Sequence, residues 1–370
     1  MIQAANKIAY KDASVALMKP LEAPAENQGC LYPDLVDEAS ILEWAGVSLG
    51  RAEIYRLYLS IKALADSIAG DNRARFFGKI YTRGEPYYVV EMNSVYEGEE
   101  EIDPKKQEGK EGANKYTYFV SQNIEAGVSS WTKLPEVKAA QVVAASQFKR
   151  YLTGDLEAPV PTFPVFDGVE KNLLRAQIAR IAGATSISPD GFFEIEEDSD
   201  PPVLKLAEGE ALNERFPKAA EELKDPEQWK HHEIELNALG RATALPPQED
   251  ENGEPIEEED PVPVTEILNP INPDTWSLRT GPSGAGVASF ACAVAKSITW
   301  PGAVSVYQGR RFVNVYVGNA IAYAATPYSP PLPQFTQSEW APGEEETGLT
   351  EEADVRADPT PPKEEEAEEE

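Results

Sequence analysis

A chain of 370 residues that is 41% hydrophobic carries enough apolar side chains for a sizeable core, in one large domain or two smaller ones. Its formal net charge of −31, with an isoelectric point near 4.4, argues against nucleic acid and against an anionic membrane surface as partners, since both call for a basic face. Basic or neutral partners fit instead.

Residues 1–30 include Pro20 and Pro24, show weak periodicity and read as a loosely ordered leader. Leu35 to Ala45 predicts a short helix. From Arg51, the residues Ile54, Leu57, Tyr58, Ile61, Leu64, Ala65 and Ile68 recur at the three-and-four spacing of one helical stripe. The glycines of the intervening "GVSLG" make the pair a helical hairpin. Beyond Gly70 the pattern turns to β: "RFFGKIYTRGEPYYVVEM" holds two runs around Arg83–Pro86, and "KYTYFV" adds a third strand after an acidic interruption. Val137, Ala140, Ala144, Phe148 and Tyr151 then fall on one helical face. Pro159, Pro161 and Pro164 lack amide donors, so "LEAPVPTFPVF" reads as extended connector. Leu174, Ile178 and Ile181 predict a short helix ended near Gly183, and "SISPDGFFEI" a turn leading into a strand. Residues 201–245 read as partly helical, interrupted at Pro217 and Pro226, and 246–263 as an acidic Pro/Glu linker. A second β-rich block opens near Trp276. Within it "VASFACAVAKS" has mixed character, "WPGA" is a turn, and "AVSVYQGRRFVNVYVG" gives two strands around Gln308–Arg310.

The expectation is therefore an α+β fold. An N-terminal helical hairpin leads into a mixed, β-rich core over 31–245 with long acidic loops, a second β-rich block over 264–335 packs on that core, and 336–370 is a disordered acidic tail. The strand-rich stretches 76–120 and 276–317 expose edges that must be paired or covered, which predicts assembly with a similar subunit.

The charge is unevenly spread. Tyr96–Asp103, Glu194–Asp200, Gln248–Asp260 and Glu344–Glu370 together hold 29 of the 31 net negatives, so the rest of the chain is nearly neutral and the runs read as solvated segments. Cys30 and Cys292 have no CxxC partner, which argues against a disulfide framework or zinc site and for a reducing, cytosolic compartment. No apolar run follows Lys7 and Lys11, so secretion by the usual route is not expected, and Gly284 to Ala295 is too short to span a bilayer.

Four places in the sequence invite a chemical or binding reading. "GPSGAG", Gly281 to Gly286, invites a phosphate-loop reading, but Val287 and Ala288 stand where a Walker loop needs Lys and then Ser or Thr. His231 and His232 are adjacent rather than four apart, which suits a polar helical patch better than a zinc clamp. Arg310 and Arg311 beside Phe312 form either a grip for an acidic partner or a solvated turn. Trp131, Trp276 and Trp300 are core or interface anchors. No catalytic, cofactor-binding or metal-binding residue is assigned, and no cofactor is expected.

Ten ordered blocks between about Leu31 and Pro333 are more informative than any of these: "FFGKI", "GANKYTYFV", "WTKLP", "FKRYLTGDLEAPV", "FPVFDG", "NLLRAQIARI", "SPDGFF", "WPGA", "GRRFVNVYVG" and "YSPPLP". Together they resemble the radial spoke head protein 4/6 family of motile cilia and flagella. The resemblance implies a non-enzymatic structural subunit of the axonemal radial spoke head that meets the central microtubule pair and helps control dynein-driven bending. It also implies companions: a paralogous 4/6-type subunit, radial spoke head protein 9, and spoke head proteins with repeated hairpin motifs. Family members often carry a longer segment ahead of "EWAGVSLG" than the roughly 30 residues read as a leader here, so the resemblance does not carry docking functions of that segment over to this sequence. "GANKYTYFV" and "WTKLP" read as scaffold in this light. The alternative is a small-molecule or nucleotide-binding enzyme using Gly281–Gly286; an acidic histone-type chaperone would explain the tail but not the ordered blocks.

Overall fold

Two stretches of alternating apolar residues, far apart in the chain, form one sheet. A computed structural model describes residues 35–68, 74–93, 108, 112–125, 130–196, 204–207, 216–217, 219–245, 263–281, 291–308 and 311–323. The leader, the runs at 96–103, 197–200, 248–260 and 344–370, most of the 246–263 linker and the tail lie outside the described residues.

The first stretch supplies β1 (Ala74–Ile80), β2 (Tyr87–Asn93), β3 (Tyr116–Ser121) and the two-residue β4 (Thr132–Lys133). The second supplies β9 (Trp276–Thr280), β10 (Cys292–Ser297), β11 (Ala303–Gln308) and β12 (Arg311–Gly318). Each set is an antiparallel meander, and the eight strands stand in the order β4-β3-β2-β1-β12-β11-β10-β9. The joint is a parallel pairing of β1 with β12, Gly78 facing Tyr316 and Ile80 facing Gly318. The stretches expected as a core and a block packed upon it are thus two halves of one continuous layer.

Helices α1 (Leu35–Trp44) and α2 (Arg51–Ser67) cover one face, where Leu57 and Ile61 join Val90, Met92, Val306 and Val315 in an apolar cluster. On the other face α3 (Ala139–Gln147) and α4 (Glu170–Thr185) cover the β1–β3 side, with Leu173, Leu174 and Ile178 against Tyr87, Val89 and Val120. A third cluster on the β10–β11 side joins Phe216, Leu223 and Trp229 to Trp276, Ala295 and Tyr307. Here the short pairs β5 (Ile187–Pro189) with β8 (Trp229–His231), and β6 (Phe193–Ile195) with β7 (Leu204–Leu206), fill out the layer.

A bulge sets which side chains face which layer. The β1–β2 register shifts between Phe76 and Gly78, so strict alternation is broken once. Phe77 and Ile80 thereby both join the α3/α4 cluster, while Lys79 turns to the α2 side and donates to Glu53 at 2.7 Å.

The structure redraws several sequence expectations. Helix α3 stops at Gln147 because Phe148 is extended (φ −133°, ψ 161°), which frees its ring to pack edge-on against Phe166 at 6.1 Å. Helix α4 runs on through Gly183. That glycine admits a neighbouring chain rather than ending the helix: a Cβ there would lie 2.8 Å from the Ile234 carbonyl oxygen. Among the described residues of 201–245 there is no α-helix, only short strands and the 3-10 turns Glu222–Lys224 and Pro226–Gln228. His231 accordingly closes a strand and does not belong to a helical patch. The sheet edges are also blunted, since β4 has two residues and the Glu222–Lys224 turn lies against β9.

Gly78 tests the joint. A Cβ at this position would overlap the Tyr316 carbonyl on the neighbouring strand, where backbone has no room to yield. Gly78→Val is expected to destabilise the fold by about 3 kcal/mol or more, read as a lower urea midpoint. An unchanged midpoint would contradict the β1–β12 pairing.

Candidate functional site: a buried polar seam

A polar seam crosses the α4 face of the sheet between two apolar clusters. Arg75, Glu91 and Tyr118 are register partners on β1, β2 and β3, so sheet geometry alone brings their side chains together. Arg75 donates from Nε to Glu91 Oε1 and from Nη2 to Glu91 Oε2, each at 3.1 Å, and the Tyr118 hydroxyl donates to Oε2 at 3.0 Å. Such a two-pronged pair fixes orientation as well as energy. The row continues on β12 and β11 with the register partners Asn314 and Ser305; Asn314 donates from Nδ2 to the Ile187 carbonyl at 2.7 Å, tying β5 to the sheet.

The covering layer adds its own charges. Arg175 of α4 stacks 4.6 Å from the Tyr118 ring centre and donates to the Ala113 carbonyl at 2.6 Å. Glu233 accepts from the Lys115 ammonium at 3.2 Å and the Tyr116 hydroxyl at 3.1 Å. His231 and His232 follow β8 into the same region, where their Nδ1 atoms are buried and make no hydrogen bond among the described residues.

Burial pushes the Tyr118 hydroxyl well up, and the Glu91 charge adds to this, so it stays a donor. Burial alone would lower Arg75, but Glu91 reverses the sign and holds it charged. Arg175 is lowered by burial, and Glu233 is raised by burial against the pull of Lys115. Desolvation lowers His231 to about 4 and His232 well below its usual value, the latter helped by Arg75 and Lys115. A general acid or base works best with its pKa near the working pH. The histidines and tyrosines of the seam are shifted away from neutral pH, so the histidines stay uncharged and the tyrosines act as fixed hydrogen-bond donors.

Further carboxylates act as ties between segments. Glu170 accepts from the Tyr87 hydroxyl at 2.9 Å, the Thr153 amide at 2.7 Å, the Thr153 hydroxyl at 2.8 Å and the Gly154 amide at 2.8 Å. Its place in the first turn of α4 adds the favourable end of the helix dipole. Glu108 accepts from the amides of Ala113, Ala242 and Thr243 and from the Thr243 hydroxyl, at 2.7 to 3.1 Å. On the α2 side, Glu53 holds both Lys79 and the Tyr88 hydroxyl.

The residues singled out from sequence fall in different places. Gly281 follows β9 and donates its amide to the Cys292 carbonyl at 2.6 Å; 282–286 lie outside the described residues. Arg311 is buried and faces Asp37 of α1 at 3.8 Å, neither a solvated turn nor a free grip; Arg310 lies outside the described residues. Trp276 and Trp300 are core residues, Trp300 lying 5.1 Å from the Arg180 guanidinium, and half-buried Trp131 donates to Ser60 at 3.0 Å. Among the described residues, no group of three His, Cys, Asp or Glu stands placed to hold a metal, and no helix is long and apolar enough to cross a membrane. The seam itself escaped sequence reasoning. Its signal was a charge inside each of two apolar strands, Arg75 in "RFFGKI" and Glu91 in "YYVVEM".

A family model described as radial spokehead-like protein matches residues 3–112 and 97–366. The chain belongs to that family. It is 31% identical over 383 residues to the human radial spoke head protein 4 homolog A, covering 88% of this chain and 52% of that protein. It is 31% identical to the mouse radial spoke head protein 6 homolog A, covering 86% of this chain and 53% of the relative. With the flagellar radial spoke protein 4 of Chlamydomonas reinhardtii it shares 30% identity, covering 89% of this chain and 73% of the relative. The chain thus spans about half the length of the mammalian relatives it matches. As a radial spokehead-like protein it is a component of the axonemes of cilia and flagella.

The blocks that carried the resemblance now have physical roles. "FFGKI" and "GRRFVNVYVG" pair with each other as β1 and β12. In "GANKYTYFV", Asn114 accepts from the Val137 amide at 2.9 Å and donates to its carbonyl at 3.0 Å, a side chain standing in for a strand. "FKRYLTGDLEAPV" delivers Thr153 and Gly154 to Glu170.

The histidines predict an acid-side loss of stability. A histidine kept neutral in the fold adds nothing above pH 6.5, where the unfolded chain is neutral too. As pH falls from 6.5 towards 4 the unfolded chain takes up a proton that folded His231 refuses, and stability drops. The drop for His231 is on the order of 3 kcal/mol. Urea unfolding between pH 7 and pH 4 should show it, and His231→Gln should flatten the slope. A slope unchanged in the variant would contradict the assignment.

Proposed function

We propose that this radial spokehead-like protein is a non-enzymatic structural subunit of the radial spoke head, a rigid body on which other head subunits are assembled and which contributes to contact with the central pair, through which dynein-driven bending is regulated. The observation that carries this reading is the use made of its strongest polar groups. Glu91, Glu108 and Glu170 each spend their carboxylate on three or four donors from separate segments of the chain, which fixes shape and leaves little for chemistry. The enzyme alternative is not favoured, because Gly281 turns its amide to Cys292 rather than towards an anion.

The proposed companions are a second 4/6-type subunit, radial spoke head protein 9 and further spoke head proteins. With β4 short and β9 flanked by the Glu222–Lys224 turn, they dock on helices and loops more readily than by adding a strand. The acidic runs give the contact with the central pair its character: screened charge acts over roughly 8 Å at physiological salt and favours fast, reversible encounter.

The test is removal of the chain from the ciliated cell that carries it. Cryo-electron tomography of the axonemes should show spoke heads with missing density and video microscopy an altered beat, both restored by the full chain. Complete spoke heads in its absence would overturn the assignment. Glu257→Gln, Glu258→Gln and Glu259→Gln together should leave the heads assembled but change how beating responds to salt in demembranated cells. An unchanged response would remove the charged-contact role alone.

A further inference from the structure

The connector after α3 carries the most exposed apolar side chains among the described residues: Phe163 is 92% exposed and Val165 82%. Their exposure does not come from looseness. Glu170 grips Thr153 and Gly154 at the start of the segment, its own amide donates to the Ala158 carbonyl at 2.9 Å, and Pro159 bridges to Val169. Arg150 donates to the Pro161 carbonyl at 3.1 Å, the Thr162 hydroxyl closes on the Pro164 carbonyl at 3.0 Å, and Phe166 is buried against Phe148. A rigid tip presenting an aromatic ring to water has already given up the freedom that binding usually removes.

The tip has a charged flank. Lys149 lies 5.9 Å from the ring centre of exposed Tyr323, and Tyr151 beside it is 49% exposed. Two of the connector's three acids are paired with lysines, Glu157 with Lys171 at 2.6 Å and Asp167 with Lys138 at 3.9 Å, and Asp155 accepts from the Glu157 amide at 3.0 Å. Lys149 and Arg150 make no ion pair among the described residues. In a chain of net charge −31, this leaves a local positive flank beside an apolar projection.

We propose that Phe163 and Val165 form a docking knob that seats in an apolar pocket with an acidic rim on another protein subunit, with Lys149 and Arg150 meeting the rim. Buried aromatic anchors of this kind dominate interfaces, and a charge on the flank selects the partner. A protein pocket is favoured over an anionic membrane because Lys149 and Arg150 are a flank wide enough only for a local acidic rim, while the net charge of the whole chain repels an extended anionic surface. The inference rests on the spoke-head assignment and names a surface through which assembly proceeds.

The experiment uses the full chain, with a photoreactive benzophenone amino acid in place of Phe163, as the sole copy in ciliated cells. Axonemes are isolated and irradiated, and the adducts are sequenced by mass spectrometry. One dominant adduct to a different polypeptide, at an apolar residue with acidic neighbours, is expected. Adding Lys149→Glu should lower its yield roughly tenfold through like-charge repulsion at the rim, with the melting temperature unchanged. With the chain present in spoke heads, an adduct to lipid, to a second copy or to its own chain, or no adduct, would overturn the docking knob and leave the assignment standing. Absence of the chain from spoke heads would overturn both.

Discussion

The parallel pairing of β1 with β12 is the constraint on which the rest of the structure depends. It is the one place in the eight-stranded sheet where the two antiparallel meanders meet, and it joins residue 78 to residue 316. Hairpin contacts form locally, whereas this pairing requires closure of nearly the whole described chain before it gains anything. The α1/α2 cluster draws side chains from β1, β2, β11 and β12, so its apolar surface is continuous only when the joint is made. The α3/α4 cluster likewise takes Phe77 from one side and Tyr316 from the other.

The seam fixes the register of β1, the strand that enters this joint, against β2 and β3. Buried ion pairs add little net stability once desolvation is counted, but removing one partner strands the other and is strongly unfavourable. A slip of one residue between β1 and β2 would carry Glu91 to the opposite face, away from Arg75 and Tyr118. The bulge at Phe76–Gly78 works with it, sending Arg75 to the α4 face and Lys79 to Glu53 on the other. Charges of opposite faces thus fix one strand from both sides, and under the proposed role a spoke head assembled on this body would take on its defined shape.

Much of the fold is legible in the sequence where the signal is periodic. Helix α2 follows the stripe from Ile54 to Ala65, and the strands around "GEP" and "QGR" stand where turn residues interrupt β-formers. What escaped is decided between distant segments. Nothing local in "FFGKI" says that Gly78 must be bare because the Tyr316 carbonyl lies against it, and Gly183 resembles a helix stop until Ile234 is seen beside it. Arg311 looks solvated at a hairpin tip until α1 brings Asp37 over it. Family blocks were visible as words; their pairing, one block against another, was not.

Native-state hydrogen exchange tests the central claim, that the two meanders form one cooperative scaffold through β1 and β12. Amides of the joint, such as that of Tyr81, which donates to the Gly318 carbonyl at 2.8 Å, should exchange only with the free energy of global unfolding measured in urea. β2 and β11, the strands flanking the joint, should show the same value. Exchange of one meander at markedly lower free energy while the other stays protected would show two independent halves and contradict the account.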